Sequence, residues 1–180
     1  MRKLVLAIAI VSAAVMANAA AVDWTASQVF DAWETAAQSK NVAASGWLGY
    51  VILEADYSTV TTALGTGDTS KLVDAAVGPV KTTTAKGQFT ASTASGNVAS
   101  GEQSFYLIVL NSGTLADVTG YAVSAKTTTT VDASLDTNIT FGSMKDATQS
   151  TSAWTAVPEP TSGLLVLLGM AGLALKRKRA

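Results

Sequence analysis

Gln103-Ser104-Phe105-Tyr106-Leu107-Ile108-Val109-Leu110-Asn111 is the stretch whose reading decides the fold. Side chains alternate along a strand, so Phe105, Leu107 and Val109 point one way and Tyr106, Ile108 and Leu110 the other. Both faces are apolar, and Asn111-Ser112-Gly113 ends the run with turn residues. Residues 46–55 read the same way. Trp47, Gly49, Val51 and Leu53 lie on one face and Leu48, Tyr50 and Ile52 on the other, which places this strand centrally in a sheet.

Outward from these two strands the pattern of period two continues. Strands are expected at 87–95, through Phe89, Ala91 and Thr93, and at 120–131, where Tyr121, Val123 and Ala125 face in. The threonine run 127–130 suits a pleated surface. Short strands follow at 139–142 and 153–157. Before them, helical spacing marks 23–40, with apolar Ala26, Val29, Phe30, Trp33 and Ala37 and Asp23 or Thr25 as its cap. Short helices are expected at 58–64 and at 70–77, the latter ended by Gly78-Pro79. Six strands with Gly/Ser/Asn turns and no βαβ alternation predict a mainly β, antiparallel sandwich-like domain with one or two short helices, with an α+β arrangement as the alternative. The expected core is Trp47, Tyr50, Ile52, Phe105, Leu107, Val109, Tyr121, Phe141 and Trp154.

The stretch 20–157 is one domain's worth of chain. Twelve acids against six lysines give it a charge of −6, and it holds no arginine. That balance argues against nucleic acid or anionic lipid as a partner. Cysteine and histidine are absent. No disulfide framework, cysteine nucleophile or Ser-His-Asp triad is available, and the common zinc sites lack their ligands. No metal or other cofactor is expected.

Three groups of residues merit weighing as sites. If the strand at 46–55 runs on, Glu54 and Asp56 share a face about 6–7 Å apart, a separation that suits acid–base cleavage of a glycosidic bond. A pair of solvated carboxylates entering a turn is the plainer reading. Asp132, Asp136 and Asn138 offer oxygens for Ca²⁺, but their spacing fits no known loop and a polar turn is favoured. Gly65-Thr66-Gly67-Asp68 is a turn without the Gly-Lys-Ser/Thr that a phosphate loop requires. The hydroxyl-rich runs 82–84, 92–95 and 127–130 are read as solvent faces, and 148–152 as part of a linker.

The termini are of another character. Arg2 and Lys3 precede an apolar run, 4–15, and then Ala17-Asn18-Ala19, the small-x-small pattern of a secretory signal cut after Ala19. At the other end, Val157-Pro158-Glu159-Pro160-Thr161-Ser162-Gly163 leads into Leu164-Leu165-Val166-Leu167-Leu168-Gly169-Met170-Ala171-Gly172-Leu173-Ala174-Leu175 and then Lys176-Arg177-Lys178-Arg179-Ala180. The prolines hold φ near about −65° and keep the segment extended. From Gly163 the apolar run is about 20 Å long as a helix. Snorkelling lysine and arginine stems narrow the gap to a bilayer core of about 30 Å. The basic end stays on the cytoplasmic side as a stop-transfer signal.

This tail resembles the PEP-CTERM sorting domain of Gram-negative bacteria. The resemblance implies recognition of Pro158, Glu159 and Pro160 by exosortase, a membrane-embedded cysteine transpeptidase, and a transmembrane helix over 164–175. The expected organisation is a signal peptide at 1–19, a passenger domain at 20–147, a Ser/Thr-rich linker at 148–157 and a sorting domain at 158–180. Its expected partners are the secretion translocon, signal peptidase, the exosortase and an extracellular polysaccharide. The expected product is a non-enzymatic surface or matrix protein with a structural or adhesive passenger. A permanently anchored envelope protein and an enzyme acting on extracellular polysaccharide are the alternatives.

Overall fold

The computed structural model describes residues 19–30, 43–144 and 155–158. Among them the strands are β1 (Ala19–Ala26), β2 (Leu48–Leu53), β3 (Ala76–Thr82), β4 (Ser95–Ala99), β5 (Gly101–Leu110), β6 (Gly120–Val123), β7 (Thr127–Val131), β8 (Thr137–Phe141) and β9 (Thr155–Ala156). Two short helices, α1 (Tyr57–Leu64) and α2 (Ser70–Ala75), stand between β2 and β3. One sheet runs β4-β1-β8. The other runs β3-β2-β5-β6-β9, with β7 also paired to β5. The mainly β, sandwich-like architecture is as the hydrophobic pattern predicts. One pairing departs from the antiparallel rule, since β1 and β8 run parallel, from Val22 opposite Thr137 to Ala26 opposite Phe141.

The doubly apolar β5 sets the layering. Its Phe105, Leu107 and Val109 enter a core between the sheets with Val22, Trp24, Val51, Phe89, Ile139 and Phe141. Its Ile108 and Leu110 enter a second core with Ile52, Val60, Leu64, Leu72, Tyr121 and Val123. The helices cover that outer face, each burying a short apolar stripe, Val60 and Leu64 from α1 and Leu72 from α2. Full burial of one such side chain is worth about 1.5–3 kcal/mol, so a strand buried on both faces anchors both layers.

The structure corrects several expectations, mostly where a contact distant in sequence decides. Residues 23–26 are in β1, not in a helix. Val22, Trp24 and Ala26 alternate into the core, and β1 is held between β4 and β8. Residues 27–30 are not helical either: they form a bend and isolated bridges, with Val29 opposite Met144, and the remainder of the expected helix, 31–40, lies outside the described residues. Gly78-Pro79 does not end α2. The chain passes directly into β3, and these residues form an irregularity in its pairing with β2. There Gly78 takes φ +75°, and the Pro79 carbonyl accepts a hydrogen bond from Trp24 Nε1 at 2.8 Å. In the region 87–95 only Phe89 bridges to Ala26, and the next strand begins at Ser95, where the expected one ends. The single strand expected over 120–131 is two strands. Ser124 breaks it by bonding Leu107 twice, through its amide to the Leu107 carbonyl and through its hydroxyl from the Leu107 amide. Of the expected core, Trp47 is only partly buried and Trp154 lies outside the described residues, while the deeply buried Trp24 was not among those named.

Candidate functional site at the exit of the tail

The C-terminal end of the described chain is tied to the second sheet. Gly120 pairs with Ala156 and Tyr121 with Thr155. The Val157 amide donates to the Thr119 carbonyl at 3.0 Å, and the Val157 side chain is buried in the core under the helices. Tyr121 hydrogen-bonds Thr155. Burial pushes the Tyr121 phenol above its ordinary value, and this bond works the other way. Pro158 is exposed, yet its carbonyl passes so close to Gly67 that a Cβ there would sit 2.6 Å from the oxygen. Gly67 also holds φ +82°, which a side chain rarely adopts. The turn 65–68 therefore has a role that its sequence does not announce: it leaves room for the departing chain.

Of the expected sorting residues, Pro158 stands at this exit, and Glu159, Pro160, the apolar run 164–175 and the basic residues 176–179 lie outside the described residues. Ala17 also lies outside them. Ala19 is the first residue of β1, opposite Ala99. Of the expected linker 148–157, residues 155–157 are docked as described above, and 148–154 lie outside the described residues. Among the described residues no helix is long and apolar enough to cross a membrane.

The carboxylates weighed for chemistry are placed apart in function. The strand stops at Leu53, and Glu54–Asp56 form a 3-10 turn, so Glu54 and Asp56 do not extend a strand face. Glu54 receives a hydrogen bond from Lys126 at 3.0 Å. This bond and the Glu54 charge hold Lys126 above the ordinary lysine value. Both side chains of this pair are about half exposed. An open cleft of about 280 Å³ lies beside Glu54, lined also by Glu102, Gln103 and Ser104. Asp132 accepts from the Ser134 amide, closing a local turn, while Asn138 donates to Asp23 at 3.5 Å. No cluster of three metal-ligating side chains occurs among the described residues.

One polar cluster was hidden from sequence reasoning. Asp23 on β1 and Lys81 on β3 are both buried and lie 2.5 Å apart. Lys81 Nζ also donates to the Trp24 and Thr90 carbonyls and lies 4.9 Å from the centre of the Trp24 ring. Asp23 accepts from the Ser92 amide at 2.9 Å and from its hydroxyl at 3.1 Å. Burial pushes the Asp23 carboxyl up. Its hydrogen bonds from Lys81 and from the Ser92 and Trp24 amides, with the Lys81 charge, outweigh this and hold it below the ordinary value. Three acceptors occupy the three N–H donors of the Lys81 ammonium, so this lysine is a fixed charge clamping β1, β3 and the 90–92 segment together. No local pattern marks it, because the partners are far apart in the chain.

The comparisons with known proteins bear on the tail. Residues 156–179 match the family model of the PEP-CTERM protein-sorting motif. No curated protein and no solved structure matches the chain. The match begins at Ala156, so its first two residues, Ala156 in β9 and the buried Val157, belong to the folded domain as well as to the tail.

Proposed function

We propose that this chain is an exported surface or extracellular-matrix protein whose tail is processed by an exosortase-type membrane transpeptidase, and whose folded domain is a structural or adhesive passenger. The observation that carries the reading is the match of residues 156–179 to the PEP-CTERM protein-sorting motif. The chemistry of the tail supports it. Pro158, Glu159 and Pro160 form the recognised peptide. The run 164–175 holds the substrate in the bilayer, and Lys176, Arg177, Lys178 and Arg179 stop transfer. At the other end, secretion through the translocon and a cut by signal peptidase after Ala19 leave Ala20 as the mature N-terminus. An acidic passenger free of arginine suits a polysaccharide matrix better than nucleic acid.

A non-catalytic passenger is supported by the occupations of its carboxylates. Asp23 neutralises a buried lysine, Asp132 closes its own turn, and Glu54 pairs with Lys126 at the surface. The test is mass spectrometry of the mature protein from cells with and without the exosortase. A product starting at Ala20 and lacking the basic end, seen only with the enzyme present, is expected. An intact Arg179-Ala180 end on all molecules overturns processing and favours a permanent anchor.

A further inference from the structure

We infer that the folded domain controls access to its own sorting motif: the docked residues 155–158 form a clasp that opens before a processing enzyme takes the chain. The inference rests on the reading of the tail as an exosortase substrate. An enzyme that acts on a linear motif binds it as an extended peptide, engaging its backbone groups and alternate side chains. On the N-terminal side of the motif those groups are already engaged. The Val157 amide is bonded to Thr119, its side chain is buried, Ala156 is held opposite Gly120 with no ladder bonds of its own, and the Pro158 carbonyl lies against Gly67. The family match itself starts at Ala156. The signal and the fold thus compete for the same residues.

The clasp is built to open locally. The strand β9 has two residues, it lies at the edge of its sheet among the described residues, and a single buried valine follows it. Edge segments with few buried contacts open without global unfolding. Between the clasp and Leu164 lie residues 159–163. Even fully extended they span about 18 Å at most. While the clasp is closed, the folded body is therefore confined near the membrane and leaves little free chain for an enzyme cleft.

The experiment locks the clasp in the full-length protein. Because the Val157 amide bonds to Thr119, the neighbouring Gly120–Ala156 pair is the non-hydrogen-bonded kind. Its Cα atoms are about 4.5 Å apart, within reach of a disulfide. The chain has no cysteine of its own, so Gly120→Cys with Ala156→Cys gives one defined bridge. With exosortase co-produced, loss of the tail is followed by intact mass. The oxidised protein is expected to lose its tail at least about tenfold more slowly than the same protein reduced, which is about 1.4 kcal/mol of opening. Val157→Ser and Gly67→Ala, which loosen the seat from its two sides, are expected to be processed severalfold faster than the parent.

Equal rates for the oxidised and reduced protein overturn the clasp. If the cysteine pair does not fold, parent-like rates for both loosened variants overturn it as well. Failure of the underlying reading looks different: the parent keeps its tail with the enzyme present, or replacing Pro158, Glu159 and Pro160 by alanine leaves processing unchanged.

Discussion

The two ends of the folded domain are held in opposite ways. β1 begins at Ala19 and is the middle strand of its sheet, paired with β4 on one side and β8 on the other. It sends Val22 and Trp24, both fully buried, into the core between the sheets. Among the described residues β9 is an edge strand of two residues, paired only with β6 and secured by Val157. A cut after Ala19 needs an extended peptide in a peptidase cleft, so on the proposed reading it precedes the docking of β1. A cut in the tail is compatible with a finished fold, because only β9 has to move. On that reading the N-terminal cut comes before folding, and the C-terminal cut can follow it.

Removing each end is the severest way to break this comparison. A protein without residues 19–26 is expected to show no cooperative unfolding transition in urea, because the first sheet loses its central strand. A protein ending at Trp154, just before β9, is expected to keep one. A cooperative transition in the first, or none in the second, contradicts the contrast.

Single substitutions in β1 sharpen it. Trp24→Ala is expected to cost about 3–5 kcal/mol, the usual range for emptying a large buried aromatic site. Trp24 packs on Phe89, with ring centroids 4.9 Å apart, and on Phe141 at 6.4 Å. Asp23→Ala leaves the Lys81 ammonium buried without its counter-charge, a change that costs about 3–5 kcal/mol in comparable pairs. Chemical denaturation reads both, and a loss below about 0.5 kcal/mol in either, the level of an ordinary surface change, speaks against the clamp.

The same pair gives a smaller, pH-dependent effect. The Asp23 carboxyl lies below its ordinary value in the folded protein. Its contribution to stability is therefore fully present above the ordinary carboxylate range and is lost as pH falls through the folded value. Stability measured from about pH 5 downward is expected to fall less steeply in Asp23→Asn than in the parent. Parallel curves would remove Asp23 from the acid response.

How much of this was legible in the sequence depends on where each element gets its stability. β2, β5 and α1 were readable because apolar residues on the faces they bury are written locally, Phe105 to Leu110 most plainly. β1 was not. Its small alanines and the polar Asp23 and Thr25 give a weak strand pattern, while Ala26, Val29 and Phe30 fit helical spacing equally well. What decides is parallel pairing with β8, more than a hundred residues away in the chain. The Asp23–Lys81 pair was invisible for the same reason: each residue taken alone reads as surface charge. The sorting motif was legible because its chemistry is linear. Its seat was not, since Val157 follows a Ser/Thr-rich run and Gly67 looks like any turn glycine.

The smallest expected effect concerns β9 itself. Val157→Ala removes two methyl groups from a buried site next to an edge strand, so about 1–2 kcal/mol is at stake if the clasp stays closed and the cavity persists. The segment has another option, because it can leave the sheet and solvate, which limits the loss to whatever the clasp contributes. Global stability is therefore expected to fall by about 1 kcal/mol or less, no more than a typical point substitution costs. Hydrogen exchange at the Val157 amide is expected to quicken by about tenfold, while amides in β1 and β5 keep their protection. Equal acceleration in β1 would mean that the C-terminal strand opens only with the whole domain, and the two ends would then be held alike.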